Sequence, residues 1–122
     1  GYYKADLKSI RMPGKKKKKK IAAMLKDLRE NSPTEINGQS VVVKKDYLVG
    51  KSYDLEADTE TELDFPESNV LQFKLEDKTL VTVRPSGTEP KIKFYFSVTA
   101  NSDQAADEKL AEVKNSVMNI VE

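Results

Sequence analysis

The chain has 122 residues, of which 38% are hydrophobic and 34% charged, with a formal net charge of +1; that suffices for one domain with its own core and not for two. It contains no cysteine and no histidine, which excludes disulfides, thiol nucleophiles, cysteine-ligated zinc and any Ser-His or Cys-His catalytic pair. No apolar run approaches the roughly 20 residues that span a bilayer and no signal-like N-terminus is visible, so a cytoplasmic setting is expected.

The small net charge hides a split, with basic residues dominating from Lys4 to Arg29 and acidic ones from Asp46 to Glu67. Pro13-Gly14 punctuates the N-terminal segment. Ile21, Met24, Leu25 and Leu28 then recur at helical spacing until Asn31-Ser32-Pro33 stops the pattern, which predicts a first helix with an apolar core stripe. The lysine run at 15–20, Lys15 to Lys20, sits where that helix begins. Its charge opposes the partial positive charge of a helix N-terminus, so a frayed, solvated first turn is expected. No aromatic residue interleaves the run, and this weighs against a nucleic-acid or membrane patch.

Asn37-Gly38 is a turn signal ahead of Val41-Val42-Val43, a buried strand reaching about Lys45. Residues 46–68 predict a long acidic loop with one short extended piece around Tyr53 to Leu55. Within it Asp58 and Glu60 read as solvated carboxylates, because no calcium-loop spacing surrounds them. From Val70 the period becomes two. Leu71, Phe73 and Leu75 share a face, Glu76-Asp77-Lys78 makes a hairpin turn, and Thr79 to Arg84 returns. In the next strand Ile92, Phe94, Phe96 and Val98 face one way and Lys91, Lys93, Tyr95 and Ser97 the other. Asn101, Ser102 and Asp103 suit a helix start, and Ala106, Leu110, Val113, Val117 and Ile120 mark an amphipathic second helix. The order predicts an α+β fold: a two-layer domain over residues 1–122, with an antiparallel sheet of about four strands and two helices packed on one face.

Between the last two predicted strands lies RPSGTEP, Arg84 to Pro90. Arg84 at a strand end presents a planar fork that suits two phosphate oxygens. Ser86 and Thr88 offer hydroxyls, and Gly87 permits unusual dihedrals through which successive N–H groups converge on one anion. A bare Ser-Gly-Thr turn is often only a turn, but Arg84, Lys91 and Lys93 together weigh toward a phosphate cradle. It is not a Walker loop, since no Gly-Lys-Ser/Thr follows.

Extended to its flanks, VTVRPSGTEPKIKFYFSV resembles the C-terminal domain of the alpha-D-phosphohexomutase family of phosphoglucomutases and phosphomannomutases, with the bacterial alpha-phosphoglucomutases most similar. Weaker similarity runs through GYYKADL, MLKDLRENSP and FPESNVLQFKLEDKTL. The resemblance implies that Arg84, Ser86, Gly87, Thr88 and Lys93 hold the non-transferring phosphate of a hexose phosphate or bisphosphate during transfer between O1 and O6. Lys93 stands where the family often has arginine. The family's phosphoserine, its aspartate-rich magnesium loop and its sugar-selecting loop have no counterpart here. No catalytic residue and no cofactor are therefore expected in this chain, and Mg2+ is implied only for a four-domain parent from which this reads as one piece. Gly1 in place of an initiator methionine accords with that. The other domains of the parent are the implied partners. The rival readings are a basic nucleic-acid-binding α+β module and a non-catalytic interaction domain.

Overall fold

A computed structural model describes residues 1–12 and 16–122. The elements run β1 (Tyr2–Arg11), α1 (Lys17–Glu30), β2 (Glu35–Ile36), β3 (Gln39–Asp46), β4 (Lys51–Asp54), β5 (Thr59–Glu62), β6 (Leu71–Leu75), β7 (Leu80–Pro85), β8 (Lys91–Ala100) and α2 (Asp103–Val121). The Pro13-Gly14 punctuation and Lys15 lie outside the described residues.

The fold is α+β, as expected, but the antiparallel sheet has eight strands and not about four. They follow the order β1-β8-β7-β6-β3-β4-β5, with β2 paired to β3 off that path. The two-residue strand β2, paired with β3, adds one strand, and two further features account for the rest. β1 pairs with β8 over its whole length, setting Lys4 opposite Val98, Asp6 opposite Phe96 and Lys8 opposite Phe94. Its core-side positions thus carry charges, which hide the strand from any apolar pattern. α2 neutralises two of them: Lys4 Nζ lies 3.0 Å and 3.1 Å from the carboxylates of Asp103 and Asp107, and Lys114 donates to Asp6. The second feature is a hairpin of β4 and β5 inside the segment expected to be a long acidic loop. Asp54 Oδ1 accepts from the N–H groups of Glu56 and Ala57, and Asp58 takes a left-handed φ of 54° to close the turn. Every residue of β5 is exposed, so no burial pattern announces it. Glu60 pairs with Lys51 across this hairpin.

Elsewhere the local chemistry behaves as the sequence predicts. Asn37 and Gly38 have φ of 53° and 73°, the consecutive positive pair that a two-residue hairpin turn needs. Lys78 closes the β6–β7 turn at φ 72°. Ser102 caps α2, its Oγ accepting from the Ala105 N–H at 3.1 Å, with Asp103 in the first turn. We expect Ser102→Ala to cost about 1 kcal/mol in urea denaturation, the usual value of such a cap.

One buried cluster joins the layers. Ile21, Leu25 and Leu28 of α1 and Val113 and Val117 of α2 pack with Phe73, Val81, Val83, Ile92, Phe94, Phe96 and Val98 of the sheet. Phe94 and Phe96 stack with centroids 6.5 Å apart. The opposite face is solvent-exposed, and its rows follow from the register: Leu7, Tyr95, Thr82 and Gln72 in one, Ser9, Lys93 and Arg84 in the next.

Candidate anion-binding site

β7 extends one residue further than expected, through Pro85, which pairs with Ile92, so the RPSGTEP segment leaves the sheet only at Ser86. The turn that follows is pinned from several directions. The Ser86 N–H donates to the Lys91 carbonyl at 2.9 Å, and the Lys91 N–H donates to the Glu89 carbonyl at 2.8 Å. Ser86 Oγ accepts from the N–H groups of Thr88 and Glu89 at 3.4 and 3.3 Å. From outside, the Met12 N–H reaches the Pro90 carbonyl, tying the end of β1 to the turn.

Charge around the turn is unequally compensated. Glu89 pairs with Arg11 and, at 3.4 Å, with Lys91. The Arg11 guanidinium, with Lys91 beside it, holds the Glu89 carboxyl below its ordinary range. Lys91 is therefore spent within the protein, and the expected trio of cations becomes a pair. Arg84 and Lys93 face each other across β7 and β8. Neither has an ion pair or side-chain hydrogen bond among the described residues. Arg84 is exposed and Lys93 half-buried.

Gly87 departs from expectation. Its φ lies outside the left-handed region, and a Cβ placed on it meets nothing within 4 Å. The residue is not required by the turn; its missing side chain leaves the turn's backbone open to an approaching group. Gly87→Ala is accordingly expected to change unfolding free energy by less than about 0.5 kcal/mol. Its effect should instead fall on anion affinity, which paired denaturation and binding measurements separate.

Ser86, Gly87 and Thr88 line an open groove of about 770 Å³ whose other wall is the start of α1, with Lys16, Lys17, Lys18 and Lys19. Arg84 and Lys93 stand apart from its lining, on the exposed face of the sheet. The five residues expected to act together thus form two neighbouring groups, a cation pair at the strand ends and a hydroxyl-bearing turn on the groove. Two contributors were not foreseen. Asn69 also lines the groove, and its Oδ1 accepts from Arg29 at 2.9 Å. The same guanidinium donates through Nε to Asp46 Oδ2 at 2.9 Å, while Asp46 Oδ1 accepts from the Leu48 and Val49 N–H groups. Asn69 sits in a stretch with no periodicity, and only the fold brings residues 16–19 opposite residues 86–88.

Among the described residues no three acidic side chains cluster in a way that would hold a metal ion, and no helix is long and apolar enough to cross a membrane. The aromatic residues of β8 that a nucleic-acid module would expose at Phe94 and Phe96 are instead 0% and 2% exposed.

A family model described as phosphoglucomutase/phosphomannomutase, C-terminal domain, matches residues 7–115. Phosphoglucomutase of Staphylococcus aureus strain MRSA252 is 42% identical over 98 residues, covering 80% of this chain and 18% of that protein. Phosphoglucomutase of strain USA300 is 41% identical over 107 residues, covering 87% of this chain and 19% of that protein. The chain thus spans less than a fifth of the length of these curated relatives.

Proposed function

Because this chain belongs to the phosphoglucomutase/phosphomannomutase C-terminal domain family, we propose that it binds the non-transferring phosphate of a hexose phosphate while a phosphoryl group moves between O1 and O6. The transfer itself belongs to other parts of a longer protein. The observation that carries the reading is the selective neutralisation around the turn. Glu89 occupies Arg11 and Lys91, while Arg84 and Lys93 are left side by side without a carboxylate. Two uncompensated cations beside a hydroxyl-bearing turn suit a dianionic phosphate. Arg84 stands two residues before Ser86, so the cation pair and the hydroxyl-bearing turn are neighbours along the chain.

Each group has a distinct part. The Arg84 fork takes two oxygens and sets orientation, whereas Lys93 adds charge with little direction. Ser86 Oγ uses its lone pairs on the turn's own N–H groups and keeps its hydrogen for the ligand. Thr88 offers a second hydroxyl. The cradle reads phosphate and little of the sugar, which suits an intermediate that presents each end in turn. The donor set is cationic and hydrogen-bond donating and does not fit Mg2+, which takes oxygen ligands; the magnesium implied for the parent is assigned to other segments.

The test is a backbone-amide NMR titration with glucose 6-phosphate at constant ionic strength, taken well beyond the millimolar affinity, about −4 kcal/mol, expected of an isolated cradle. Shifts centred on Ser86, Gly87 and Thr88 are expected. A titration that leaves these amides unmoved up to tens of millimolar overturns the reading.

A further inference from the structure

Resting on that reading, we propose that Asn69 is a specificity-determining residue of the groove, its side-chain amide donating to a hydroxyl of the sugar while the Ser86–Thr88 turn holds the phosphate. The register brings the two together. Leu71 lies opposite Val83 across β6 and β7. Asn69 precedes the first by two residues and Ser86 follows the second by three, so both flank the same end of this strand pair. Asn69 and the turn line one groove of about 770 Å³, within the size range of small-ligand sites.

The amide is held in one orientation. A guanidinium has donors and no acceptor, so the end of Asn69 that meets Arg29 at 2.9 Å is its carbonyl oxygen, and Nδ2 is left on the far side. Arg29 is itself fixed. Its Nε donates to Asp46 Oδ2 at 2.9 Å, and Asp46 Oδ1 accepts from the Leu48 and Val49 N–H groups. The half-buried Asn69 thus presents a rigid donor with two hydrogens, and neither has a partner among the described residues. The one buried side-chain polar atom without a partner among those residues is Thr79 Oγ1, so the unspent Asn69 amide is not sealed in the core.

The surroundings select the acceptor. Ile21, Ala22 and Leu25 of α1 share the groove with Asn69 as an apolar strip, while Arg84 and Lys93 stand outside its lining. A dianionic phosphate is drawn to those cations and the turn. An uncharged amide beside an apolar strip suits the body of the sugar, where it meets a neutral hydroxyl. The turn reads phosphate, and Asn69 adds a reading of the sugar. A ring lacking that hydroxyl leaves the fixed donor unpaired and binds less well.

The experiment titrates glucose 6-phosphate and inorganic phosphate into the wild-type chain, Asn69→Ala and Asn69→Asp at matched ionic strength, followed by NMR. In the wild-type protein the Ser86–Thr88 amides should move with both ligands, and the Asn69 side-chain amide with glucose 6-phosphate alone. In both variants the ratio of glucose 6-phosphate affinity to inorganic phosphate affinity should fall about three- to tenfold, the scale of one hydrogen bond. The ratio cancels the general repulsion that the added charge of Asn69→Asp brings. That variant keeps an acceptor for Arg29, and so guards against a loss that is merely structural. An unchanged ratio, or a wild-type Asn69 side-chain amide that ignores glucose 6-phosphate, overturns the assignment and leaves the cradle intact. Equal movement of that amide with inorganic phosphate makes Asn69 a phosphate ligand and also overturns it. If neither ligand moves Ser86–Thr88, the cradle itself fails and this inference falls with it.

Discussion

Arg84→Ala is expected to weaken hexose-phosphate binding by roughly ten- to hundredfold while leaving the fold unchanged. A hydrogen bond to a charged group contributes about 1.5–3 kcal/mol, and 1.4 kcal/mol corresponds to a factor of about ten. Lys93 remains to supply charge but lacks the planar fork, so it replaces only part of the loss. The unfolding free energy should move by less than about 0.5 kcal/mol, because Arg84 is exposed and makes no ion pair or side-chain hydrogen bond among the described residues. Arg84→Lys should fall between the two, retaining charge without bidentate geometry. Calorimetric or NMR titration at fixed salt, alongside urea denaturation, gives both quantities. Unaltered affinity in Arg84→Ala would remove this residue from the site.

The largest expected stability effect lies behind the groove, at Arg29. Its guanidinium is 16% exposed and its partner Asp46 carboxylate 3%. Removing one member of such a buried pair typically costs about 3–5 kcal/mol, since the other charge is left without compensation. For Arg29→Ala we expect about 3 kcal/mol, the lower end, because the Leu48 and Val49 N–H groups still donate to Asp46. Asn69 loses its donor as well. Replacing both partners, as Arg29→Met with Asp46→Leu, should cost less than the sum of the single changes, since no charge is then stranded. A double-mutant cycle in urea measures the coupling; additive losses would mean that the pair contributes nothing as a pair.

The parts of this fold that were legible share one property: their burial is periodic in sequence. β6, β7 and β8 alternate cleanly, with Leu71, Phe73, Leu75, Val81, Val83, Ile92, Phe94, Phe96 and Val98 all buried. α2 shows both its stripe and its Ser102 cap. Two of the strands that escaped notice, β1 and β5, lack that signal for opposite reasons. β1 turns charges toward the core side and satisfies Lys4 and Asp6 through α2, while β5 buries nothing. At the candidate site, the placement of Arg84 near a strand end and of Ser86 and Thr88 in a turn was legible because that chemistry is local. The diversion of Lys91 to Glu89, the ordinary φ of Gly87 and the lysine wall opposite the turn are tertiary facts, and no spacing in the chain encodes them.

The pairing of β1 with β8 also sets a timetable. Arg11 finds its register partner at Lys91, 80 positions later, and Tyr2 finds its own only at Ala100. Closing so distant a contact is entropically costly and slow. On a ribosome adding roughly 5–20 residues per second, β1 emerges about 4–16 s before the strand that completes it. Lys4, Asp6 and Lys8, awkward as core-side residues of a finished sheet, then serve the waiting strand: they keep it hydrated and deter pairing with any other exposed edge. Lys4 and Asp6 find Asp103, Asp107 and Lys114 only once α2 exists, so the last helix to be made fastens the first strand.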